Sequence, residues 1–247
     1  MRLSIVVPAY NEARRLPATL VEMVAYLGRN PRWLPAEILI VDDGSSDATA
    51  EVSGQVESKD GITIRCLAHP TNRGKGAAVR TGFSACSGDL LLLSDADLST
   101  PMVELEALAV AVGDGVAIGS RAVDRRRIEA RQPLYRDAMG RAFNLAVRLL
   151  ALGGVRDTQC GFKLFAGGLG RELAAIQRLD GFAYDVELLC RARAWGCPIR
   201  EVPVRWRHVE ASRVRPLAHS AEMFRDLLRI GFWRVSGRLR HRPGSLP

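Results

Sequence analysis

Short apolar runs closed by polar or glycine residues recur along the first half of the chain. They read "LSIVVPAY" at 3–10, "AEILIVDDGSSD" at 36–47, "ITIRCLAH" at 62–69, "DLLLLSDAD" at 89–97 and "GVAIGSR" at 115–121. Each run has the length and composition of a buried strand. Segments of helical length, roughly 13–28, 46–58, 74–86 and 101–112, lie between them. This alternation predicts an α/β fold with a mostly parallel sheet covered by helices on both faces.

Polar residues follow three of these predicted strands: Pro8 to Glu12, Asp42 to Ser45 and Asp95 to Ser99. Open α/β sheets bind their ligands beyond the carboxyl ends of the strands, where the three segments would meet. The pattern therefore predicts one shared site. Ser46 and Asp47 are also suited to capping the second helix.

The run Leu90–Leu93 leads directly into two carboxylates, Asp95 and Asp97. In an extended strand, residues two apart point the same way, and two adjacent anions at an apolar strand are costly unless a cation joins them. Oxygen ligands favour Mg²⁺ or Mn²⁺. The alternative is that Asp97 or Ser99 caps the segment after Pro101, which would account for Ser99 but hardly for both carboxylates.

The segment "GKGAAV" at 74–79 begins like a dinucleotide-binding fingerprint but lacks the third glycine and follows the third predicted strand. The sequence also contains no G-x-x-x-x-G-K-[ST] phosphate loop. These observations argue against hydride transfer and against P-loop chemistry. They predict a glycine turn that opens a helix and brings Lys75 near a phosphate or a base.

Arg121, Arg136 and Arg141 follow the fifth predicted strand and are candidates for binding an acceptor phosphate, because guanidinium groups match phosphate oxygens in pairs. Arg141 is equally suited to an exposed helix position. A phosphate monoester is largely dianionic at neutral pH and needs no general base. A hydroxyl acceptor would need one, for which Asp157 and Asp185 are the candidates. A buried carboxylate, however, often only binds backbone N–H groups.

Five cysteines, without a CxxC pair or a signal peptide, predict free thiols and a reducing cytosol. No window is apolar enough to span a bilayer. The net charge is +8, and residues 200–247 carry eleven arginines against four acidic residues. This segment is expected to meet an anionic surface, either lipid or nucleic acid, or to form a solvated arginine face.

The stretch "EMFRDLLRIGFWRV" at 222–235 predicts a basic amphipathic helix. Its apolar side comprises Phe224, Leu227, Leu228, Gly231, Phe232 and Val235. Such a helix binds a membrane interface or packs on the core. The helical spacing of its aromatic residues is unlike a base-stacking platform, which favours lipid over nucleic acid.

Seven motifs in order carry a family resemblance. They are "VVPAYNEARRL" at 6–16, "EILIVDDGSSDAT" at 37–49, "NRGKGAAVRTG" at 72–82, "DADLSTP" at 95–101, "GSR" at 119–121, "DTQCGFKLF" at 157–165 and "FAYDVELL" at 182–189. Over roughly residues 3–215 the chain resembles family 2 glycosyltransferases of the GT-A fold. It is most similar to the group of dolichyl-phosphate glucosyltransferases and dolichyl-phosphate mannose synthases.

The resemblance implies roles for individual residues. Nucleotide-sugar binding would involve Pro8, Tyr10, Asn11, Glu12, Asp42, Lys75, Asp95 and Ala96. The metal would be held by Asp95, Asp97 and Ser99, with Asp97 essential for catalysis, and Arg121 and Arg136 are singled out among the arginines. Mannose synthases usually carry Gln at the position of Ser99. This difference, together with "DTQCGFKLF", favours UDP-glucose as donor.

The sequence is thus interpreted as a catalytic domain at 1–215 followed by a basic helix and tail at 216–247. The predicted activity is inverting, Mg²⁺- or Mn²⁺-dependent transfer of a hexose, most plausibly glucose from UDP-glucose, to a polyprenyl phosphate. The enzyme would be cytoplasmic and peripheral at the inner membrane face, bound through residues 222–242, with no nucleic-acid partner. The alternatives are a soluble transferase with a hydroxyl acceptor, a GDP-mannose donor, or a non-catalytic nucleic-acid-binding module.

Overall fold

The computed structural model describes residues 2–56, 58–59, 61–130, 132–209 and 216–242, apart from the side chains of 134, 136 and 216–220. Its strands are β1 (Leu3–Ala9), β2 (Ala36–Asp42), β3 (Ile62–Ala68), β4 (Leu90–Leu93), β5 (Val116–Ser120), β6 (Ile128–Ala130), β7 (Lys163–Ala166), β8 (Ile199–Pro203) and β9 (Trp206–Arg207). Its α-helices are α1 (Leu16–Arg29), α2 (Thr49–Ser53), α3 (Lys75–Ala85), α4 (Leu105–Val112), α5 (Leu134–Leu150), α6 (Gly167–Ile176), α7 (Tyr184–Ala194) and α8 (Pro216–Val235).

The main sheet has seven strands in the order β3-β2-β1-β4-β7-β5-β8. All neighbours are parallel except β7, which runs antiparallel to both β4 and β5. A second, two-stranded sheet pairs β6 with β9. The predicted α/β class and the five predicted strands are confirmed. Strand β7 was not predicted, because it has only four residues and begins with a lysine.

Two hydrophobic clusters cover the two faces of the main sheet. Along β1 the side chains alternate between them: Ile5 and Val7 belong to one cluster and Val6 to the other. On the Val6 face, Phe83 of α3 packs edge-on against Phe165, with ring centroids 5.1 Å apart. Because both faces are buried, the strands are continuously apolar rather than alternating.

The parallel register brings the polar loops together at one edge of the sheet. In β1 and β2, Ala9 pairs with Asp42, and β4 pairs with β1 as far as Leu93 opposite Val6. Each strand therefore ends on the same side, and its loop continues over the same edge.

Helix α8 has two apolar faces rather than the single one predicted. Leu227 and Ile230 are fully buried in the cluster that also contains Val147 of α5. A row at helical spacing remains exposed: Phe224, Leu228, Phe232 and Val235. Leu149 of α5, the helix in contact with α8, is also 73% exposed. One face of this helix thus packs on the core. The membrane contact predicted for the helix and the division of the chain at residue 215 both stay predictions.

All five cysteines are free thiols. None of the described helices is both long and apolar enough to cross a membrane.

Candidate active site

The loops after β1 and β2 are fastened to each other by side-chain hydrogen bonds. Asn11 has a positive φ of 55°, its N–H donates to Ser45 Oγ at 2.9 Å, and its Oδ1 accepts from Ser46 N at 2.9 Å. Buried Asp42 accepts from Ser45 N at 3.1 Å. Tyr10 lies at this rim with its side chain partly exposed. The loops therefore form one surface, as predicted for a nucleotide site.

Pro8 is buried within β1 opposite Val41, so it belongs to the floor of the site rather than to its rim. Glu12 is bound by Arg15, whose Nε donates to Oε2 at 2.7 Å. Burial lowers the pKa of Arg15, but Glu12 and then Asp97 and Asp95 raise it above its usual value. Arg15 therefore lies between the first loop and the DAD motif, with its Nη1 4.0 Å from Asp97 Oδ2.

Asp43 holds the turn before α3 in place, although the sequence predicted a site role for Asp42 instead. Its buried carboxylate accepts from Arg73 N at 3.0 Å, from Gly74 N at 2.7 Å and from the His69 ring at 2.7 Å. The second aspartate of "VDDG" therefore fixes the turn that carries Lys75. The adjacent aspartates of "VDDG" were the feature in the sequence that could have indicated this role. The sequence alone, however, does not tell which of the two carboxylates contacts the turn at residues 73–74.

The turn before α3 forms as predicted, but its backbone amides are occupied. Gly76 N and Ala77 N donate to Asp180 O at 2.7 and 3.2 Å. Gly74 has a φ of 103°, and a Cβ there would overlap the same carbonyl, so only glycine fits. The N–H groups of Gly76 and Ala77 are thus not available to a phosphate, and the Lys75 ammonium is the group that we expect to approach one.

Lys75 Nζ donates to Asp95 Oδ1 at 2.5 Å. Burial raises the pKa of Asp95, but the positive charges of Lys75, Lys163 and Arg121 together bring it below its usual value. The carboxylate lies directly over Gly161, where any Cβ would overlap it. Asp95 is therefore ionised and held in one position.

Asp95 and Asp97 do not lie in a strand, which corrects the expectation based on strand alternation. Strand β4 ends at Leu93, and the following turn closes with Leu98 N donating to Asp95 O at 3.2 Å. Ser99 donates to Asp97 Oδ1 through its N–H at 3.0 Å and its hydroxyl at 2.8 Å. Neither residue caps the segment after Pro101, which has no side-chain cap. Buried Ala96 accepts from Thr19 Oγ1 at 2.7 Å through its carbonyl, which anchors the turn.

The residues of this turn fit a divalent cation. They offer hard oxygen donors, and Asp97 Oδ2 is 4.0 Å from the nearest guanidinium, that of Arg15. Within the described part of the chain, no three His, Cys, Asp or Glu side chains form a metal cluster. A partial set of protein oxygens is typical of Mg²⁺ and Mn²⁺ sites that are completed by water and substrate phosphates.

Arg121 and Asp157 form a bidentate ion pair, with Nε–Oδ2 and Nη2–Oδ1 distances of 2.7 and 2.8 Å. Arg121 N also donates to Asp157 Oδ2 at 3.0 Å. Burial raises the pKa of Asp157, but Arg121 lowers it below its usual range. A carboxylate held in this way is a poor general base, and the geometry instead makes Asp157 the residue that positions Arg121.

Asp185 lies at the start of α7, with its Oδ2 3.4 Å from Lys163 Nζ. Burial raises the pKa of Asp185, and Lys163 and Lys75 only partly offset this. Lys163 is 1% exposed and also donates to Cys160 O at 2.5 Å. The sequence reading missed Lys163, since a lysine inside "GFKLF" looks like a solvent-facing strand residue.

A cleft of about 470 Å³ opens beside Arg121. Its arginines are Arg121, Arg125, Arg141, Arg148 and Arg156, and the Arg121 guanidinium lies 5.4 Å from the centroid of the Trp206 ring. Arg125 and Arg141 both pair with Asp137. In the described residues, the guanidinium groups of Arg148 and Arg156 form no ion pair, although the backbone N–H of Arg156 donates to Glu201 Oε2 at 2.8 Å. These two guanidinium groups are the uncompensated cations of the cleft. The Arg136 side chain lies outside the described part, and its role stays a prediction.

The motifs that form this rim are matched by a family model. The description "Glycosyl transferase family 2" fits residues 4–166. This chain belongs to glycosyl transferase family 2. A dolichyl-phosphate beta-glucosyltransferase of Drosophila melanogaster is 38% identical, aligning 96% of this chain with 78% of that protein. The human protein of the same name is 35% identical, with 95% and 78% covered. These findings establish a family 2 glycosyltransferase.

Solved structures share the fold of this chain. Mannosyl-3-phosphoglycerate synthase of Rubrobacter xylanophilus superimposes with a TM-score of 0.71 at 22% identity, covering 100% of this chain and 79% of that one. Glucosyl-3-phosphoglycerate synthase of Mycobacterium tuberculosis, in complex with Mn²⁺ and UDP-glucose, gives 0.67 at 20% identity, covering 95% and 79%. The predicted GT-A fold is thereby confirmed.

Proposed function

We propose that this family 2 glycosyltransferase transfers glucose from UDP-glucose to a polyprenyl phosphate of the dolichyl type. The observation that carries the proposal is the position of Arg121. Its guanidinium lines the arginine-rich cleft, and it lies close enough to Asp95 of the predicted donor site for its charge to help lower the pKa of that carboxyl. One residue thus connects a rim suited to a sugar nucleotide with a cleft suited to a phosphate.

On the donor side, the loops at Tyr10–Glu12 and Asp42 would hold the uridine, and Lys75 would contact the diphosphate. Asp95 and Asp97 would bind Mg²⁺ or Mn²⁺, and Ser99 would orient Asp97 by its two hydrogen bonds. A divalent cation at this place would offset the negative charge that develops on the leaving diphosphate. The relatives named for beta-glucosyl transfer and the neighbour in complex with Mn²⁺ and UDP-glucose support this choice of donor.

On the acceptor side, a phosphate fits the charges better than a hydroxyl does. Arg148 and Arg156 are uncompensated, and guanidinium pairs bind phosphate oxygens well. A hydroxyl acceptor would need a carboxylate base, yet Asp157 is occupied by Arg121 and Asp185 is buried beside Lys163. For Asp157 and Asp185, a role as general base is therefore less favoured than a role in positioning neighbouring side chains.

In the proposed reaction, an oxygen of the acceptor phosphate forms a bond to C1 of glucose while the bond from C1 to the UDP oxygen breaks. The bonding electrons leave with UDP, and the configuration at C1 inverts. No proton has to be removed from a dianionic acceptor, whose second pKa is about 6. The residues of this chain contribute position and charge.

We also propose that the enzyme binds peripherally to the cytosolic face of a membrane, where a lipid-linked acceptor resides. The exposed row of α8 would rest in the interface; it comprises Phe224, Leu228, Phe232 and Val235. Leu149 of α5 is also exposed and would join it, and Leu149 directly follows Arg148 of the cleft. Arg225 and Arg229 beside this row would meet anionic headgroups.

The test is a screen of two donors against two acceptors in detergent. UDP-glucose and GDP-mannose are each combined with a short-chain polyprenyl phosphate and with the corresponding polyprenol. We expect turnover only with UDP-glucose and the phosphate. Equal turnover of the polyprenol would contradict the phosphate acceptor, and a preference for GDP-mannose would contradict the donor.

The cleft is tested separately by Arg148→Gln and Arg156→Gln. We expect a several-fold rise in the KM for polyprenyl phosphate, with the KM for UDP-glucose unchanged. Arg29→Gln, an exposed arginine at the end of α1, is the matched control. An unaltered acceptor KM in both variants would remove these residues from acceptor binding.

A further inference from the structure

A second basic pocket, which none of the predicted site residues lines, lies between the end of α6, α7 and the segment that follows α8. Its volume is about 590 Å³, and its lining includes Arg178, Arg191, Arg238, His241 and Gln177. Among the described residues, no acidic side chain lines it. We call this cavity the tail pocket.

Aromatic rings hold the cations of the tail pocket. Arg178 and Arg191 lie over the Trp233 ring, 5.7 and 5.9 Å from its centroid, and Arg238 lies 5.4 Å from that of Phe232. Stacking restricts the guanidinium groups without neutralising them. The arrangement therefore prepares several hydrogen-bond donors at one place.

The charges of the tail pocket are only partly compensated. Arg191 is buried and donates to Glu187 Oε1 at 2.9 Å. In the described part of the chain, the guanidinium groups of Arg178 and Arg238 form no ion pair, although the backbone N–H of Arg178 donates to the Glu187 carboxylate at 3.1 Å. Two uncompensated guanidinium groups that share a concave surface repel each other and attract an anion. Phosphate fits best, because it accepts paired hydrogen bonds from guanidinium groups.

Gln177 adds a second, independent feature. It is 6% exposed, and its Nε2 donates to Gly76 O at 2.7 Å and Leu179 O at 2.8 Å. These two bonds fix the amide orientation, which leaves Oε1 buried without a partner among the described residues. A buried acceptor of this kind favours a hydroxyl donor. The pocket thus offers guanidinium donors for a phosphate, and the unpartnered Oε1 in its wall would accept from a hydroxyl once the side chain shifts toward the pocket.

The position of the pocket indicates where such a ligand comes from. Arg238 stacks on Phe232, which belongs to the exposed apolar row of α8 that we propose to face the membrane. The pocket therefore adjoins the proposed lipid surface. We propose that the tail pocket binds the phosphate of an anionic phospholipid whose headgroup carries a hydroxyl, as in phosphatidylglycerol. The lipid source of the phosphate rests on the proposed function.

The test compares two double variants of the full chain by co-sedimentation with vesicles. Phosphatidylcholine vesicles with and without phosphatidylglycerol are used. R178Q/R238Q removes two charges from the pocket, and R234Q/R240Q removes two exposed charges outside it. Non-specific attraction predicts equal losses, since each arginine near the surface contributes similarly. We expect R178Q/R238Q to lose about tenfold more affinity than the control pair. Equal losses would overturn the proposal.

A competition experiment with soluble compounds identifies the source of the phosphate. We expect glycerol phosphate, but not glycerol or an equal concentration of chloride, to displace the wild-type protein from the vesicles. Strong calorimetric binding of glycerol phosphate to protein that shows no preference for phosphatidylglycerol would overturn the lipid assignment. R178K/R238K retains the charge without the paired geometry and is expected to lie between wild type and R178Q/R238Q.

Thermal unfolding and UDP titration of every variant show that the fold and the donor site are intact. Glucosyl transfer in detergent is measured separately from vesicle binding, so equal vesicle losses of the two double variants would leave the proposed glucosyl transfer unaffected. A failure of glucosyl transfer with normal vesicle binding would likewise leave the pocket unaffected.

Discussion

At the scale of single residues, charged side chains hold one another in place across the active site. Lys75 binds Asp95, Arg121 binds Asp157, and Lys163 faces Asp185. A buried charge without a partner is costly, so each pair fixes its members before a substrate arrives. Groups that are already oriented do not need to reorganise when charge develops in the transition state.

We expect Asp97→Asn to lower turnover at least about 100-fold while the melting temperature stays the same. The amide retains the shape of the side chain but lacks the charge that a divalent cation requires. Initial rates with Mg²⁺ or Mn²⁺ measure the effect, and Asp114→Asn at an exposed loop position is the control. Full activity of the wild-type enzyme in a chelator would contradict the proposed metal.

Gly161→Ala tests the position of the Asp95 carboxylate. A Cβ at 161 overlaps this carboxylate, so the carboxylate has to move by about 1 Å, which we expect to cost about 100-fold in turnover. Gly168→Ala, where a Cβ meets nothing, is the matched control. If Gly161→Ala keeps normal kcat and KM, the position of Asp95 does not matter for catalysis.

The Arg121–Asp157 pair makes stability depend on pH. Since the folded-state pKa of Asp157 lies below its ordinary value of 3.8, the stabilisation is present above that value and is lost as pH falls through the folded-state pKa. Asp157→Asn should therefore cost about 2 kcal/mol near neutral pH, and less on acidification below about pH 3.8. Urea unfolding across this range measures the difference.

Asp124→Asn is the control for this experiment, because Asp124 pairs with Arg126 at the surface. Exposed ion pairs contribute little, so no comparable loss is expected. A gap between wild type and Asp157→Asn that stays constant down to about pH 3 would contradict an ionised Asp157 as the source of the stabilisation.

At the scale of elements, α8 shows how one helix serves two surfaces. Its residues 227 and 230 lie on the core face, and 224, 228 and 232 lie on the exposed face. Removing the helix would therefore expose core surface in addition to removing the arginines. Truncation after Pro216 is thus expected to lower stability, and point variants separate the two roles better.

Leu227→Ala and Leu228→Gln form a matched pair at adjacent positions. Leu227→Ala should cost about 2–5 kcal/mol of unfolding free energy, because it leaves a cavity in the core. Leu228→Gln should change stability by less than about 0.5 kcal/mol but weaken binding to anionic vesicles. Thermal unfolding and co-sedimentation measure both. Unchanged vesicle binding of Leu228→Gln would exclude this face from the membrane contact.

At the scale of the whole molecule, the charge is distributed unevenly. The last 48 residues carry +7 of the net +8. The rest of the chain is almost neutral, so attraction to an anionic surface would act mainly through the C-terminal part and would orient the molecule as it approaches.

Salt should therefore reduce vesicle binding strongly. The Debye length falls from about 8 Å at physiological ionic strength to about 3 Å at 1 M. We expect binding to phosphatidylglycerol vesicles to fall at least about tenfold over this range, since several arginines contribute on the order of 1 kcal/mol each. Co-sedimentation at several salt concentrations measures this. Binding that does not respond to salt would indicate that only the apolar row contributes.

The sequence by itself determined the α/β class, the first five strands and the edge at which the polar loops gather. These features depend on local periodicity and on parallel strand direction, which residues near one another in the chain encode. It also determined the family, because seven ordered motifs are specific as a set although each is weak. The oxygen donors Asp95 and Asp97 could be identified in the same way, although their conformation could not.

Only the tertiary structure decided which charges meet. Arg121 and Asp157 are 36 residues apart, Asp43 reaches the turn at residues 73–74, and Gly161 lies beneath Asp95. It likewise inserted β7 antiparallel between β4 and β5, which brings Lys163 into the site, and it divided the apolar residues of α8 between core and surface. Such contacts depend on how distant segments pack, and a pattern of neighbouring residues contains no information about the partner that buries a charge.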